Sequence, residues 1–321
     1  MKKFIYIFYL FFVLNFSFTF ASNEYKNMSS IENKKKFRFI INPNSGTKTK
    51  DYIIKTIEKD LDRSKFNYEI SYTKAAKHAT ELAKEAKNLK YDLVVAIGGD
   101  GTINEIGKAL IDTKTIMAII PTGSGNGLAK HLKISKNPKK AIQIINSYKY
   151  MDMDTIKIND EIFLSVAGIG FDAEIADVFS KGKKRGFLNY AKIVLKQYFQ
   201  YSIKPFDMIV DGKKVTKEGF LVSFANGSQY GNDIKIAPKA DISDGCFTVA
   251  ILKKPSFFKN LQTLIRLRNG TINRSKYYES FKCKSLKIDQ KEMIAHIDGE
   301  PIFFENGIDI KPYKKLKVLV P

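Results

Sequence analysis

From residue 34 onward, short apolar runs alternate with longer stretches in which apolar residues recur every three or four positions. Phe37–Asn42 (FRFIIN) is a β-rich apolar run that stops at Pro43-Asn44-Ser45-Gly46, a strong turn sequence. Ile53, Ile54, Ile57 and Leu61 share one helical face over Asp51–Leu61, and Tyr68–Tyr72 reads as a second strand. Ala79, Leu82, Ala83 and Ala86 form the stripe of a helix over Ala75–Leu89. After Asp92, the run to Ile97 is apolar at every position, as in a strand covered on both faces of a parallel sheet. Thr102–Leu110 predicts the next helix, Thr115–Ile120 the next strand, and Leu128 onward and Lys139–Asn146 further helices. This rhythm predicts an α/β domain over 34–150 built on an open parallel sheet.

Beyond Tyr150 the texture changes to short alternating runs: Thr155–Ile158, Ile162–Gly168, Phe206–Val210, Gly219–Ala225, Cys246–Leu252, Leu286–Asp289, Ala295–Ile297 and Lys315–Val320. Polar and Gly/Pro turns separate most of them, which predicts an antiparallel β domain over 151–321, its last strand free to return to the first domain. Helical interruptions fall at Asp172–Phe179, Leu188–Tyr201 and Phe257–Arg268. There is no fixed-period repeat.

The first residues stand apart. Met1-Lys2-Lys3, the apolar run Phe4–Phe20 and Ala21-Ser22 resemble a signal peptide or short anchor. Met28 offers an alternative start, so residues 1–28 are read as signal-like or as a mis-assigned leader.

Composition narrows the chemistry. Two cysteines, Cys246 and Cys283, exclude a disulfide-stapled or zinc-ribbon scaffold. Three histidines, far apart in sequence, leave little for a His-built metal centre, so any metal is expected to be a hard one held by oxygen. Lys and Arg number 54 against 33 Asp and Glu, a net charge of +21, which suits an anionic partner. Only six are arginine, too few for sequence-reading nucleic-acid contacts, so nucleic acid is not expected as a partner.

Candidate chemistry concentrates in glycine-rich turns. Val94–Gly107 (VVAIGGDGTINEIG) runs a buried strand into Gly98-Gly99-Asp100-Gly101-Thr102, which opens a helix. Glycine lets backbone approach phosphate oxygens, and a helix N-terminus offers free N–H groups. The spacing fits neither the dinucleotide fingerprint nor the Walker A loop. A second such turn, Pro121–Gly127 (PTGSGNG), follows the next strand, and Asn42–Gly46 follows the first. Three such turns, after the first, third and fourth strands, point to a cleft for a polyphosphate.

The ordered set Asn42–Gly46, Gly98–Thr102 and Gly123–Ala129, with Ala167–Asp172 (AGIGFD), Ile242–Phe247 (ISDGCF) and His296–Glu300 (HIDGE), resembles the lipid-kinase family that includes diacylglycerol and sphingosine kinases. The resemblance runs from about Phe37 to the C-terminus. It implies an ATP- and Mg²⁺-dependent kinase of a lipid alcohol, with an α/β nucleotide domain and a C-terminal antiparallel β-sandwich flanking the cleft. It also implies a cytoplasmic protein, peripheral at the inner face of an anionic membrane; a homodimer stays open. By the same resemblance Asn42, Pro43, Asn44, Ser45, Gly46, Thr73, Gly99, Asp100, Gly101, Thr102, Ile103, Asn104, Glu105 and Ser124 line the nucleotide. Asp298 is the general base, Asp100 serves ATP and its magnesium, and Asp244 holds a structural magnesium with carbonyls of Asp241 and Cys246. Asp154 links that turn to the active-site metal network. Asp298-Gly299 and Asp244-Gly245 also read as plain turns, and Glu105 as a helix-start charge.

One departure bears on the substrate. Diacylglycerol kinases commonly carry an acid after the asparagine of the second glycine turn, whereas Gly127 follows Asn126 here, a form more like the sphingosine kinases. Diacylglycerol is the expected acceptor and a sphingoid base the alternative, for which Asp172 and Asp177 are candidate amine partners. The basic run Ser180–Gly186 before the aromatic-rich Leu188–Tyr201 is a candidate interfacial segment. A kinase of NAD and a catalytically inactive lipid-binding module are the competing functions.

Overall fold

The computed structural model describes residues 34–46, 50–171, 173–175, 178, 198, 201 and 203–321. The leader-like stretch 1–28, Asp172, Asp177, the run 180–186 and all of 188–201 except Tyr198 and Tyr201 lie outside the described residues.

The first half alternates strand and helix: β1 (Lys35–Ile41), α1 (Asp51–Asp60), β2 (Phe66–Tyr72), α2 (His78–Asn88), β3 (Leu93–Gly98), α3 (Asp100–Leu110), β4 (Ile116–Pro121), α4 (Gly127–His131) and α5 (Pro138–Ser147). The strands are parallel in the order β4-β3-β1-β2. Alternation along each strand divides the core in two. Val94 and Ala96 pack with Ala79, Ala83, Ile103, Ile106 and Leu110 from α2 and α3. Leu93, Val95 and Ile97 pack on the other face with Ile53, Ile57, Ile142 and Ile145 from α1 and α5. Both faces are covered, which is why β3 and β4 are buried along their whole length.

The second half comprises β5 (Tyr150–Ile158), β6 (Glu161–Phe163), β7 (Val166–Gly170), β8 (Lys204–Val210), β9 (Lys213–Gly219), β10 (Leu221–Ala225) and β11 (Phe247–Leu252). A 3-10 turn (Phe257–Lys259) leads into α6 (Asn260–Asn269), followed by β12 (Tyr278–Cys283), β13 (Leu286–Ile297) and β14 (Glu300–Leu319). The antiparallel path β12-β11-β10-β7-β13-β14 carries side branches β5-β6 on β14 and β8-β9 on β13. Residues of both the path and its branches, among them Phe163, Met208, Phe224, Val249, Ile288 and Ile310, meet in one core, making the sandwich. The end of β14 then lies parallel to β4, pairing Val318 with Met117, so one continuous sheet joins the halves.

Several elements differ from the sequence expectation. Leu286–Asp289 and Ala295–Ile297 are one strand, β13, carried through a register shift between Ile288 and Lys291. β14 begins fifteen residues before the expected Lys315 because it pairs with β13 and then with β5, so tertiary partners hold a stretch of mixed apolar and polar residues extended. β9 (KKVTKEG) and β12 (YESFKC) escape the apolar pattern: among the described residues both pair on one side alone, where charged residues suit an uncovered edge. Conversely, Ile162–Gly168 breaks at Leu164-Ser165 between β6 and β7. Among the described residues, no helix is long and apolar enough to cross a membrane.

Candidate active site

Loops leaving the carboxyl ends of β1, β3 and β4 converge, the place where open α/β sheets bind ligands. Asn42 donates its backbone N–H to Ile97 (2.9 Å) and its side-chain amide to Thr102 Oγ1 (3.0 Å). Ser45 Oγ meets Thr122 Oγ1 at 2.7 Å, tying the first loop to the third. Gly46, at φ +71°, lies against the Thr122 carbonyl. The Lys50 ammonium donates to the Ser45 carbonyl, and burial lowers its pKa.

Asn42, Asn44, Thr73, Gly101, Thr102 and Glu105 line a cavity of about 290 Å³. The first ladder bond of α3 runs from Ile103 N–H to the Gly99 carbonyl (3.1 Å), so the amides of Gly101 and Thr102 precede the ladder, where a helix receives anions. A side chain built on Gly101 meets nothing within 4 Å, leaving its backbone open to a ligand. These features fit a polyphosphate.

Other nucleotide candidates stand differently. Pro43 and Ser124 are exposed, and Ser124 meets the Lys136 ammonium through its carbonyl (3.2 Å). The Ile103 side chain is buried in the core beside Ala79 and Ala83, so only its backbone can serve a ligand. Glu105 accepts the amides of Lys77 (3.0 Å) and Ala79 (3.1 Å), holding the start of α2 against the cavity.

A second, small cleft of about 60 Å³ brings the two catalytic candidates together. Asp100, Asn104 and Gly127 line one side, and Ser165, Tyr230 and Asp298 the other. Asp100 Oδ2 accepts the Asn126 amide (2.8 Å) and Oδ1 the Gly127 amide (2.7 Å), so this carboxylate positions the second glycine loop. Asp298 and Gly299 both have positive φ, at +50° and +91°, in a two-residue hairpin between β13 and β14. Asp298 is thus both a hairpin turn and a cleft carboxylate. Its Oδ1 accepts the amides of Ser165 (2.9 Å) and Val166 (3.1 Å), and Oδ2 that of Leu164 (2.9 Å). This explains the break between β6 and β7: the amides there turn to Asp298. Burial raises the Asp298 pKa, opposed by those amides and by the charge of Lys108.

The candidate metal turn lies elsewhere. Asp241 accepts the Ser243 amide (3.0 Å) and hydroxyl (2.8 Å), which lower its pKa, and it lines a separate groove of about 720 Å³ with His131 and Lys133. Asp244 accepts the Cys246 amide (3.0 Å) on Oδ1, and the Lys282 ammonium sits on Oδ2. Asp154, buried, accepts the Gly245 amide (2.8 Å) and an ion pair from Lys315. Among the described residues no three His, Cys, Asp or Glu side chains gather for a metal. A cation at this turn would therefore have one free carboxylate face at most, completed by carbonyls and water.

Sequence reasoning missed Thr122, Ser165 and Tyr230. Thr122 was within reach, sitting in the second glycine turn. Ser165 and Tyr230 carry no local signal.

A parallel nucleotide-type sheet, glycine loops at its carboxyl ends and a carboxylate presented from a β-sandwich define a two-domain phosphotransferase. Residues 36–158 match the diacylglycerol kinase catalytic domain, and residues 165–306 match the YegS C-terminal NAD kinase beta sandwich-like domain. A diacylglycerol kinase of Bacillus subtilis is 29% identical over 89% of this chain and 97% of its own. A protein of Streptococcus pneumoniae named "Putative lipid kinase" is 32% identical over 83% of this chain and 91% of its own. The solved structure of a diacylglycerol kinase from Bacillus anthracis shares the fold, with a TM-score of 0.68 at 21% identity over 89% of this chain and 97% of its own. The chain belongs to the diacylglycerol-kinase-like family of lipid kinases.

Proposed function

We propose that this lipid kinase moves the terminal phosphoryl group of ATP, with Mg²⁺, onto the hydroxyl of diacylglycerol at the cytoplasmic face of a membrane, giving phosphatidic acid. The observation that carries this reading is the cleft shared by Asp100 and Asp298, one from each domain, beside the glycine-lined cavity.

Magnesium-bound ATP, when present, supplies the transferable group and neutralises charge on it. Asn42, Asn44, Thr73 and Thr102 hold the nucleotide through side-chain polar groups, and the amides of Gly101 and Thr102 face its phosphates. Asp100 keeps the second glycine loop in place, and its remaining lone pairs offer a hard cation an oxygen ligand. Asp298 takes the proton of the lipid hydroxyl. Oδ2 accepts one amide where Oδ1 accepts two, which leaves Oδ2 the freer atom to act as base.

A sphingoid base is the second reading, on one observation. A side chain built on Gly127 would come 2.8 Å from the Tyr230 carbonyl, so this loop does not accommodate the acid common in diacylglycerol kinases. The deciding experiment offers ATP and mixed micelles of diacylglycerol, sphingosine or monoacylglycerol to the full chain and to the Met28–Pro321 form. Phosphorylation of diacylglycerol is expected; phosphorylation of sphingosine instead selects the second reading, and nucleotide binding without transfer to any of the three overturns both.

A further inference from the structure

The turn Phe257–Lys259 and α6 carry an open apolar face. Phe258 is 90% exposed, Leu261 68%, Leu264 46% and Ile265 49%. Three- and four-residue spacing puts them on one side of the helix. The other side is anchored. Thr263 is buried, and Leu267 packs on the cluster of Val166, Ala225, Ile236 and Ala250. Gly270 closes the helix with its N–H on the Leu267 carbonyl (3.3 Å), and Arg266 reaches the Arg274 carbonyl (2.8 Å). The exposed side chains are therefore displayed by a fixed element.

The segment that carries this face is one-sided in charge, although Asp233 lies near Arg268 and the Lys254 ammonium is taken up by the Tyr201 carbonyl. Between Leu252 and Tyr278 the chain carries Lys253, Lys254, Lys259, Arg266, Arg268, Arg274 and Lys276, with no Asp or Glu. A second copy docking here by twofold symmetry would set these cations against themselves. The chain's own apolar run Phe4–Phe20 holds no acid to answer them. An anionic bilayer answers both features, taking the apolar side chains among its acyl chains and the cations at its headgroups.

We propose that the face of Phe258, Leu261, Leu264 and Ile265 on α6 docks this protein onto an anionic lipid bilayer. The assignment rests on the reading of the acceptor as a membrane lipid and adds to it the surface that meets the membrane. Position supports it: Leu267 shares its cluster with Tyr230, which lines the Asp100–Asp298 cleft, and Val166 of that cluster donates to Asp298. Docking through α6 therefore sets the cleft at a fixed place over the headgroups.

The test is co-sedimentation of the full chain with phosphatidylcholine vesicles, with and without phosphatidylglycerol. Leu261→Asp/Ile265→Asp tests the apolar part, and Lys259→Gln/Arg268→Gln, which leaves the face intact, tests the charge. Both variants are expected to bind anionic vesicles at least about tenfold more weakly, with an unchanged thermal midpoint and unchanged transfer to a short-chain, monomerically dispersed diacylglycerol. Wild-type binding retained in both variants overturns the α6 assignment alone. A change of oligomeric state in the apolar variant would assign the face to a second copy and overturn it too. No wild-type binding to either vesicle overturns the membrane reading itself.

Discussion

Gly123 and Gly99 are in backbone contact: a side chain built on Gly123 would lie 2.6 Å from the Gly99 Cα and 2.9 Å from Asn126 Oδ1. The loops after β3 and β4 thus press together at the mouth of the cavity. Gly123→Ala must part them and draw the Asn126 and Gly127 amides off Asp100. Overpacking of this kind costs about 1–3 kcal/mol. The expected result is a lower thermal midpoint by scanning calorimetry and at least about a tenfold loss of kcat/KM.

Asp298→Asn removes the base while keeping the size of the side chain. Turnover is expected to fall by roughly 10²–10⁴, with KM for ATP little changed. Full turnover at unchanged KM in steady-state kinetics would remove Asp298 from the reaction.

The pH profile follows from the raised Asp298 pKa. The base works as the anion, so kcat/KM should fall on the acid side through a pKa above the ordinary carboxylate value. Lys108 opposes the shift, so Lys108→Gln should move this limb to higher pH. Stability responds with its own sign. The folded state binds this proton more tightly than the unfolded chain, so ionising Asp298 costs stability as pH rises from the unfolded to the folded pKa, and the loss is complete above it. A rate profile unmoved by Lys108→Gln would detach the acid limb from Asp298.

Glu105 accounts for two amides at the start of α2. Glu105→Ala leaves both without their acceptor and should destabilise the fold by about 1–2 kcal/mol, read by urea unfolding. Nucleotide affinity should weaken with it, because Lys74, Ala75, Ala76 and Ala79 line the cavity.

Lys282 occupies the face of Asp244 that a cation would use. If magnesium binds at this turn, Lys282→Ala should raise the thermal midpoint gained per added Mg²⁺, and Asp244→Ala should abolish the gain. An identical Mg²⁺ response in wild type and Asp244→Ala would exclude the site.

The order of strands and helices through residue 150, and the glycine turns that end β1, β3 and β4, were legible along the chain. Burial on both faces writes itself as the continuous run 93–97, and tight turns need Gly, Pro and Asn at fixed positions: short-range requirements, visible in neighbouring residues. Lipid-kinase membership was legible too, in the ordered motifs from Asn42 to Glu300. Tertiary structure alone decided what depends on distant partners. β9 and β12 are largely polar sequences, and the first half of β14 a mixed one, held extended by the strands beside them. Asp298 meets Asp100 because β14, which leaves the Asp298 hairpin, ends against β4 of the first domain, and Ser165 and Tyr230 join them there without any local signal. Spacing could not show that Asp100 and Glu105 spend their carboxylates on backbone amides, since those amides belong to other loops. Periodicity and turn chemistry act over a few residues, whereas the site is assembled by sheet pairing across the whole chain.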